Sequence, residues 1–239
     1  MIQNVTRLRR WINLVLPWAA VLAVILLCIG GYWGLVLSPA DIEQGETVRI
    51  IYIHVPAASI GLLIYAMIAV QGFVFLVWRA PVADIMLQAA LPIGAIYTFL
   101  ALATGSLWGK PMWGAWWVWD ARLTSTLILF FLYLGVVILR RSFEDQEMAA
   151  KSSALLAMIG GINVPIIKFS VDWWFTLHQP ASILRLDGPT IHNSFLYPLL
   201  VMMAAFATLF LVLWMVRIKT ILLSRRLDNL YRLSHQNRI

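Results

Sequence analysis

The residues best suited to binding a flat ligand lie in Trp113-Gly-Ala-Trp-Trp-Val-Trp-Asp120. An indole ring offers a large apolar face and one N–H donor, so several neighbouring rings can cover a flat apolar molecule. Tryptophan is also enriched at membrane interfaces, and such an aromatic belt could account for Trp33, Trp78, Trp108 or Trp214 but accounts less well for this cluster. Four rings in one short stretch cannot all point into the same lipid layer, so a bound ligand is the competing interpretation. The four are Trp113, Trp116, Trp117 and Trp119.

Histidine is the residue type in this sequence most suited to binding a metal in such a ligand. His54 begins the second apolar run, His178 follows the fifth and His192 precedes the sixth. A lone histidine near a membrane surface more often makes a structural hydrogen bond than a metal bond. His192 lies beside two good helix-capping residues, Thr190 and Asn193, which favours the structural role there. His54 and His178 are therefore the candidate ligands.

Indole faces and two imidazoles together suit a flat, apolar, metal-bearing ligand, and heme is such a ligand. Heme iron in proteins is commonly held by histidine, and imidazole binds iron well. Two axial ligands would have to converge on the ring from different loops. Met112 is a weaker alternative ligand. The heme propionates would need cations, for which the candidates are Lys110, Arg122 and Arg185.

Asp120 has a structural role that needs no ligand. It directly precedes the fourth apolar run, where a carboxylate can accept the free amides of Arg122 or Leu123 and cap the helix, worth about 1 kcal/mol. Its charge also suits a helix N-terminus. We expect Asp120 to fix the direction of that helix and so to aim the tryptophans.

Composition places these residues in a membrane protein. The chain has 239 residues, of which 62% are hydrophobic and 12% charged, about half the charged fraction of a soluble domain. Long apolar runs recur, and runs of about 18 or more apolar residues are typical of membrane spans. The formal net charge is +7, but the basic residues lie in tails and short loops, which favours membrane topology over nucleic-acid binding.

The apolar runs predict an all-α integral membrane protein with six transmembrane helices. We treat residues 1–239 as one membrane domain, with a tryptophan-rich segment at 113–124 and a basic tail at 217–239. The fifth span is interrupted by Gly160, Gly161, Pro165 and Lys168. The predicted spans are 17–37, 52–78, 86–107, 122–139, 153–170 and 194–216.

Basic residues predict the orientation of the spans. Thirteen Lys and Arg residues lie in the two tails and in the loops after spans two and four, against four in the other loops. The positive-inside rule then places both termini in the cytoplasm. The tryptophan-rich loop between spans three and four falls on the outer face, together with His54, His178 and His192.

The stretch from Trp113 to Thr124, WGAWWVWDARLT, resembles the WGxxWxWDxRLT signature of the tryptophan-rich "WWD" heme-handling proteins. Within that family, nearly the whole chain is similar to the heme exporter protein C (CcmC) group of bacterial cytochrome c maturation. The length, the six spans and the outer placement of the motif agree. So do the flanking histidines, in Ile53-His-Val-Pro56 and Leu177-His-Gln-Pro180.

The resemblance implies a site and its ligand. His54 and His178 would be the axial ligands of heme b, iron protoporphyrin IX. The segment that carries the four tryptophans, Asp120 and Arg122 would form a platform around the edge of the heme. The heme would be held at the periplasmic face of the inner membrane, with one edge open to a partner.

The resemblance also implies partners. The heme would be attached covalently to a histidine of a small periplasmic heme chaperone, CcmE. The chain would work in a complex with an ABC-type transporter, CcmA and CcmB, and with a one-helix protein, CcmD. The sequence has no G-x-x-x-x-G-K-[ST] motif, so another subunit would hydrolyse ATP. No catalytic triad or carboxylate pair is visible, which leaves orientation of the heme as this chain's expected contribution.

Two other functions remain as alternatives. A transmembrane heme channel would need polar groups along the spans, of which there are few. A purely structural subunit of the transporter complex would use close helix contacts, such as Gly30-x-x-x-Gly34 allows, but would not need the tryptophans and histidines. The polar candidates inside the spans are Gln71, Thr98, Thr104, Asn163 and Lys168.

Overall fold

A computed structural model of the chain describes residues 2–174, 176–178 and 188–236. The candidate propionate partner Arg185 lies outside the described residues. A π-helical turn, Trp33–Leu37, and a 3-10 helix, Glu46–Ile50, frame the first loop. The α-helices are α1 Ile2–Tyr32, α2 Ile51–Trp78, α3 Pro81–Trp113, α4 Ala121–Arg141, α5 Gln146–Gly160, α6 Asn163–Trp173 and α7 Asn193–Gln236.

The predicted six-span helical fold is confirmed. Six helical segments are long and apolar enough to cross a membrane, with α5 and α6 together forming the fifth. The residues that the structure describes contain no β-strand. Most segments extend past the predicted apolar runs, because helical hydrogen bonding continues through polar residues at the ends. α7 includes most of the predicted basic tail.

The loop between α3 and α4 is shorter than its sequence suggests. α3 continues through Trp113 and ends at Gly114, whose φ of 74° lies in the left-handed region that glycine tolerates. α4 begins directly after Asp120, so Arg122 and Thr124 are helical. The loop proper is therefore residues 114–120, and both of its ends are fixed by helices.

The predicted interruption of the fifth span separates α5 from α6. α5 ends at Gly160, and a side chain there would collide with Tyr65 of α2. Pro165 is the third residue of α6, in the first turn, where backbone N–H groups have no partner within the helix. Its missing N–H therefore removes no helical hydrogen bond. Asn163 Nδ2 donates to Ser125 O of α4 at 2.8 Å. The break thus lets α6 pack separately against α4.

Close helix contacts occur where the sequence has small residues. A Cβ on Gly30 would lie 2.8 Å from Met202 Sδ in α7, and one on Gly34 would lie 2.7 Å from the Tyr52 ring. α1 packs chiefly against α7, and much of its apolar surface is exposed. The largest fully buried side chains of the core are Tyr52, Ile64, Tyr65, Ile68, Leu87, Leu91, Leu129, Tyr133 and Leu199.

The helices define two ends of the molecule. Ile12 near the start of α1 packs with Ile85 of α3 and with Ile218 and Ile221 of α7, so both chain termini belong to one end. At the other end, His54 near the start of α2 contacts the last turns of α3. We call this second end the tryptophan end, because the loop 114–120 lies there.

The terminal end contains a buried ionic network that sequence reasoning missed. Asp84 is 5% exposed and accepts two hydrogen bonds from Arg140, at 2.6 and 3.0 Å, and one from Arg225 at 2.7 Å. Arg140 also donates to Ser153 Oγ at 3.1 Å. One carboxylate therefore joins α3, α4 and α7, and Arg140 adds α5.

Candidate functional site

Both candidate ligand histidines lie at the tryptophan end. His54 is the fourth residue of α2, and His178 is in the segment after α6. Both imidazoles contact the last turns of α3, His54 at Thr104 and Trp108 and His178 at Trp113. Helix packing therefore brings together two histidines that are 124 positions apart in the sequence.

The His54 ring lies against the last turns of α3. Its Nδ1 is 3.1 Å from Thr104 Oγ1, and its ring meets Trp108 edge-on at a centroid distance of 5.7 Å. A Cβ on Gly105 would lie 2.9 Å from Cε1 of the imidazole. The glycine therefore makes room for the ring, and the two neighbouring side chains restrain it.

The first loop holds Trp108 in place. Trp108 Nε1 donates to Gln44 Oε1 at 3.1 Å. Gln44 belongs to a tight turn in which Asp41 and Gly45 exchange two backbone hydrogen bonds, at 3.1 and 2.9 Å. Sequence reasoning explained Trp108 by the aromatic belt alone and did not single out Gln44. Trp108 and Gln44 are far apart in the sequence, so no local pattern indicated that they are in contact.

His178 is held by the loop on the other side. Its Nδ1 lies 3.1 Å from Asp120 Oδ2, and its ring meets Trp113 at 5.2 Å between centroids. Its backbone N–H donates to Thr176 Oγ1 at 3.1 Å. Because a carboxylate is only an acceptor, Nδ1 carries the hydrogen and the lone pair of the neutral ring lies on Nε2.

The protonation of His178 favours metal binding. Burial lowers the pKa of His178 below its ordinary value, although the hydrogen bond and the charge of Asp120 oppose that shift. The positive charge of Arg122 lowers the pKa further. The neutral imidazole, which is the form that binds metals, is therefore the main form at neutral pH.

Asp120 has two roles at once. Its Oδ1 accepts the amide of Leu123 at 2.7 Å, which confirms the predicted cap of α4. Its other oxygen, Oδ2, accepts from His178. The second role was not predicted, because the partner is 58 residues away in the sequence. The residue is 9% exposed, so both bonds are shielded from water.

The four tryptophans do not form one flat wall. Trp113 packs on His178, whereas Trp117 and Trp119 meet edge-on at 5.5 Å. Trp116 and Trp119 are 55% and 74% exposed. Trp117 Nε1 is buried and has no hydrogen-bond partner among the residues that the structure describes. The tryptophan-rich segment therefore combines the Trp113 ring that supports a histidine, the buried unpaired N–H of Trp117, and the exposed rings of Trp116 and Trp119.

The two described candidate cations differ in how far they are already engaged. Arg122 is half-buried and donates to α6, to Ser170 Oγ at 3.2 Å and to the carbonyls of Ile167 and Lys168 at 3.4 and 3.3 Å. Lys110 is exposed, donates to Gly114 O at 3.1 Å and lies 5.9 Å from the ring centre of Trp116. Arg122 thus joins α4 to α6, whereas the side chain of Lys110 is exposed at the start of the loop.

The two weaker ligand candidates have other surroundings. His192 precedes α7, where its Nδ1 lies 2.9 Å from Ser194 Oγ and its carbonyl accepts the amides of Phe195 and Leu196. These contacts agree with the structural role expected for His192. Met112 is in the last turn of α3 and is 37% exposed.

Comparisons with known proteins show which family this sequence matches. The sequence model of the CcmC family, heme exporter protein C, matches residues 1–232. Heme exporter protein C of Bradyrhizobium diazoefficiens is 52% identical over 227 residues, which cover 95% of this chain and 86% of that protein. The Escherichia coli K12 protein of that name is 51% identical over 170 residues, covering 71% and 69%.

A further relative comes from a plant. The "putative cytochrome c biosynthesis ccmC-like mitochondrial protein" of Marchantia polymorpha is 47% identical over 193 residues, which cover 81% of this chain and 82% of that protein. The family match spans nearly the whole chain, including all six candidate membrane spans and the tryptophan-rich loop. The chain therefore belongs to the heme exporter protein C family.

Proposed function

We propose that this protein binds heme between His54 and His178 and presents it for covalent attachment to a periplasmic heme chaperone during c-type cytochrome biogenesis. The observation that carries the proposal is the pair of imidazoles. Packing places both at the tryptophan end, each with its Nδ1 beside an oxygen of a neighbouring side chain. Two such rings suit the two axial positions of an iron held in a porphyrin.

The donor set fits heme better than a bare ion. Among the described residues, no group of three or more His, Cys, Asp or Glu is placed to hold a metal. A porphyrin brings four nitrogens of its own, so two imidazoles complete the coordination of its iron. The exposed rings of Trp116 and Trp119 supply apolar surface in the same end of the molecule, and heme b would need no covalent bond to this chain.

The proposed orientation places this site at the periplasmic face of the bacterial inner membrane. Both termini belong to the end opposite the tryptophan loop, and the basic residues of the chain are concentrated in the tails and loops of that end. The positive-inside rule assigns such an end to the cytoplasm. Heme at the tryptophan end would then meet a periplasmic partner directly.

This chain's own contribution is to hold and orient the heme. His54 and His178 would bind it, Asp120 and Thr104 lie against the histidine rings, and Lys110 beside the loop is an exposed cation for a propionate. The exposure of Trp116 and Trp119 leaves one side of the loop accessible. A heme edge on that side would be accessible to the histidine of the chaperone, CcmE, to which the heme would be attached.

The partners follow from the family. The name "heme exporter" of the relatives suits a complex with an ABC-type transporter, for which we propose CcmA and CcmB, with CcmD as a small membrane subunit. ATP hydrolysis would belong to the transporter. The apolar surface of α1, exposed at Trp18, Val21 and Ile25, faces lipid or a neighbouring membrane helix in such a complex.

Contacts inside the spans favour this function over a transmembrane heme channel. Thr98 and Thr104 donate to carbonyls of their own helix, and Asn163 donates to α4. These bonds are typical of helix packing rather than of a polar pathway. Gln71 Oε1 is buried and has no hydrogen-bond partner within the described part of the chain.

The proposed function can be tested by transfer of heme in proteoliposomes. Heme-loaded wild-type protein is mixed with the purified chaperone, and covalent heme on the chaperone is measured after denaturing electrophoresis. We expect transfer with the wild type and loss of transfer with His178→Ala, because the variant cannot hold heme in place. Heme content and transfer that are unchanged in His178→Ala and His54→Ala would support a purely structural subunit instead.

A further inference from the structure

Thr104 contacts His54 in a way that decides which ring nitrogen carries the hydrogen. Its Oγ1 lies 2.7 Å from Leu100 O and 3.1 Å from His54 Nδ1. A threonine hydroxyl has one hydrogen to donate, and within a helix that hydrogen commonly goes to the carbonyl four residues earlier. The hydroxyl therefore presents a lone pair to His54, and the Nδ1 of His54 is the donor.

The hydrogen bond at Nδ1 of His54 determines the state of the other ring nitrogen, Nε2. A neutral imidazole with its hydrogen on Nδ1 has its lone pair on Nε2. We propose that Thr104 is a positioning residue that holds His54 in the form that binds iron through Nε2. The inference rests on the proposed function, because the position of this lone pair matters only when His54 is an axial ligand.

The other side chains around His54 fix the plane of the ring and leave its hydrogen to the Thr104 hydroxyl and the backbone of Ala101. Trp108 meets the ring edge-on, and Gly105 lets it lie close to the backbone of α3. Neither of these side chains offers a hydrogen-bond acceptor to the imidazole. The Thr104 hydroxyl is therefore the side-chain contact that selects one tautomer of His54.

The two proposed ligands then have partners of different strength. His178 donates to the Asp120 carboxylate, whereas His54 donates to a neutral hydroxyl. A carboxylate partner makes a ligating imidazole more basic than a hydroxyl does. Removing the partner of a ligating histidine typically lowers metal affinity 10- to 100-fold, so we expect Thr104 to act at the lower end of that range.

The chain offers a matched control for this test in the same helix. Thr98 Oγ1 donates to Gly94 O at 2.9 Å, the same bond within α3 that Thr104 makes. Thr98 also faces α2, where it packs against Gly61 rather than a histidine. Replacing either threonine by valine keeps the shape of the side chain and removes its hydroxyl. Of the two variants, only Thr104→Val removes the side-chain acceptor of His54.

Heme binding to the purified proteins is the measurement. Hemin is titrated into wild type, Thr104→Val, Thr104→Ser, Thr98→Val and His54→Ala, and the affinity and spin state are read from the optical spectrum. We expect about a tenfold loss of affinity and a larger high-spin fraction in Thr104→Val. Thr104→Ser and Thr98→Val should match the wild type. If Thr104→Val does not accumulate in membranes, Thr104→Ala replaces it.

The outcomes separate this inference from the function on which it rests. Thr104→Val with wild-type affinity and spectrum, beside an altered His54→Ala, would overturn the role of Thr104 and leave the heme site intact. Equal losses in Thr104→Val and Thr98→Val, or in Thr104→Val and Thr104→Ser, would also overturn it, since the hydroxyl acceptor would not be the cause. An unchanged His54→Ala spectrum would instead reject His54 as a ligand.

Discussion

At the scale of single residues, Asp120 holds His178 with one carboxylate oxygen and caps α4 with the other. Asparagine separates the two roles, because it is also a good helix cap but carries no charge. We predict that Asp120→Asn lowers heme affinity 10- to 100-fold, the usual effect of losing the partner of a ligating histidine. Thermal unfolding of the heme-free protein should hardly change.

Alanine provides the comparison for that variant. Asp120→Ala removes the cap as well, at a cost of about 1 kcal/mol in stability. Heme titration and thermal unfolding of both variants measure the two roles separately. Wild-type heme affinity in Asp120→Asn would contradict the role of this carboxylate at the site.

Replacing each of the two described cations beside the loop should have a different effect. Arg122 joins α4 to α6 through Ser170 and two carbonyls, whereas Lys110 is exposed at the start of the loop. We predict that Arg122→Ala lowers the melting temperature. Lys110→Ala should leave the melting temperature unchanged and lower the affinity for heme. Titration with hemin and with its propionate dimethyl ester tests the second point. Equal weakening of both ligands by Lys110→Ala would mean that the lysine meets no propionate.

At the scale of helices, close packing depends on particular glycines. A Cβ on Gly34 would lie 2.7 Å from the Tyr52 ring, whereas nothing lies within 4 Å of one on Gly31. We predict that Gly34→Ala destabilises the protein by about 1–3 kcal/mol, as overpacking does. Gly31→Ala, the matched control, should leave thermal unfolding unchanged or raise its midpoint. Equal melting temperatures for the two variants would contradict the close packing of the π-helical turn against Tyr52 of α2.

The sequence alone predicted most features of the individual helices. Spans follow from the length and composition of apolar runs, the cap follows from Asp120 before such a run, and the interruption of the fifth span follows from Gly160 and Gly161. Prediction from the sequence missed contacts between residues that are far apart in the chain, such as His178 with Asp120 and Gln44 with Trp108. These depend on how helices pack, for which a local pattern gives no signal.

At the scale of the whole molecule, the terminal end is joined by the buried carboxylate of Asp84 and its partners Arg140 and Arg225. Removing one member leaves buried charges without a partner, which typically costs about 3–5 kcal/mol. We predict that Asp84→Asn sharply lowers thermal stability in detergent. Glu147→Gln, which breaks an exposed ion pair with Lys151, is the control and should have no measurable effect. Equal stability of the two variants would contradict the network.

The orientation of the molecule predicts which end faces the periplasm. Ile42 in the first loop is fully exposed, with a relative exposure of 103%, and Ser142 between α4 and α5 is exposed at the other end. In a Cys28→Ala background, a membrane-impermeant thiol reagent applied to intact spheroplasts should label Ile42→Cys. Ser142→Cys should react only after lysis. The reverse pattern would place the heme site in the cytoplasm.

The proposed binding of one heme between His54 and His178 can be tested by imidazole rescue. The optical spectra of wild type, His54→Ala and His178→Ala are recorded with hemin, before and after adding imidazole. We predict a six-coordinate low-spin spectrum in the wild type, its loss in both variants, and its return when imidazole fills the vacant side. A low-spin spectrum in either variant without imidazole would contradict the claim, because the iron would then have an axial ligand other than these two histidines.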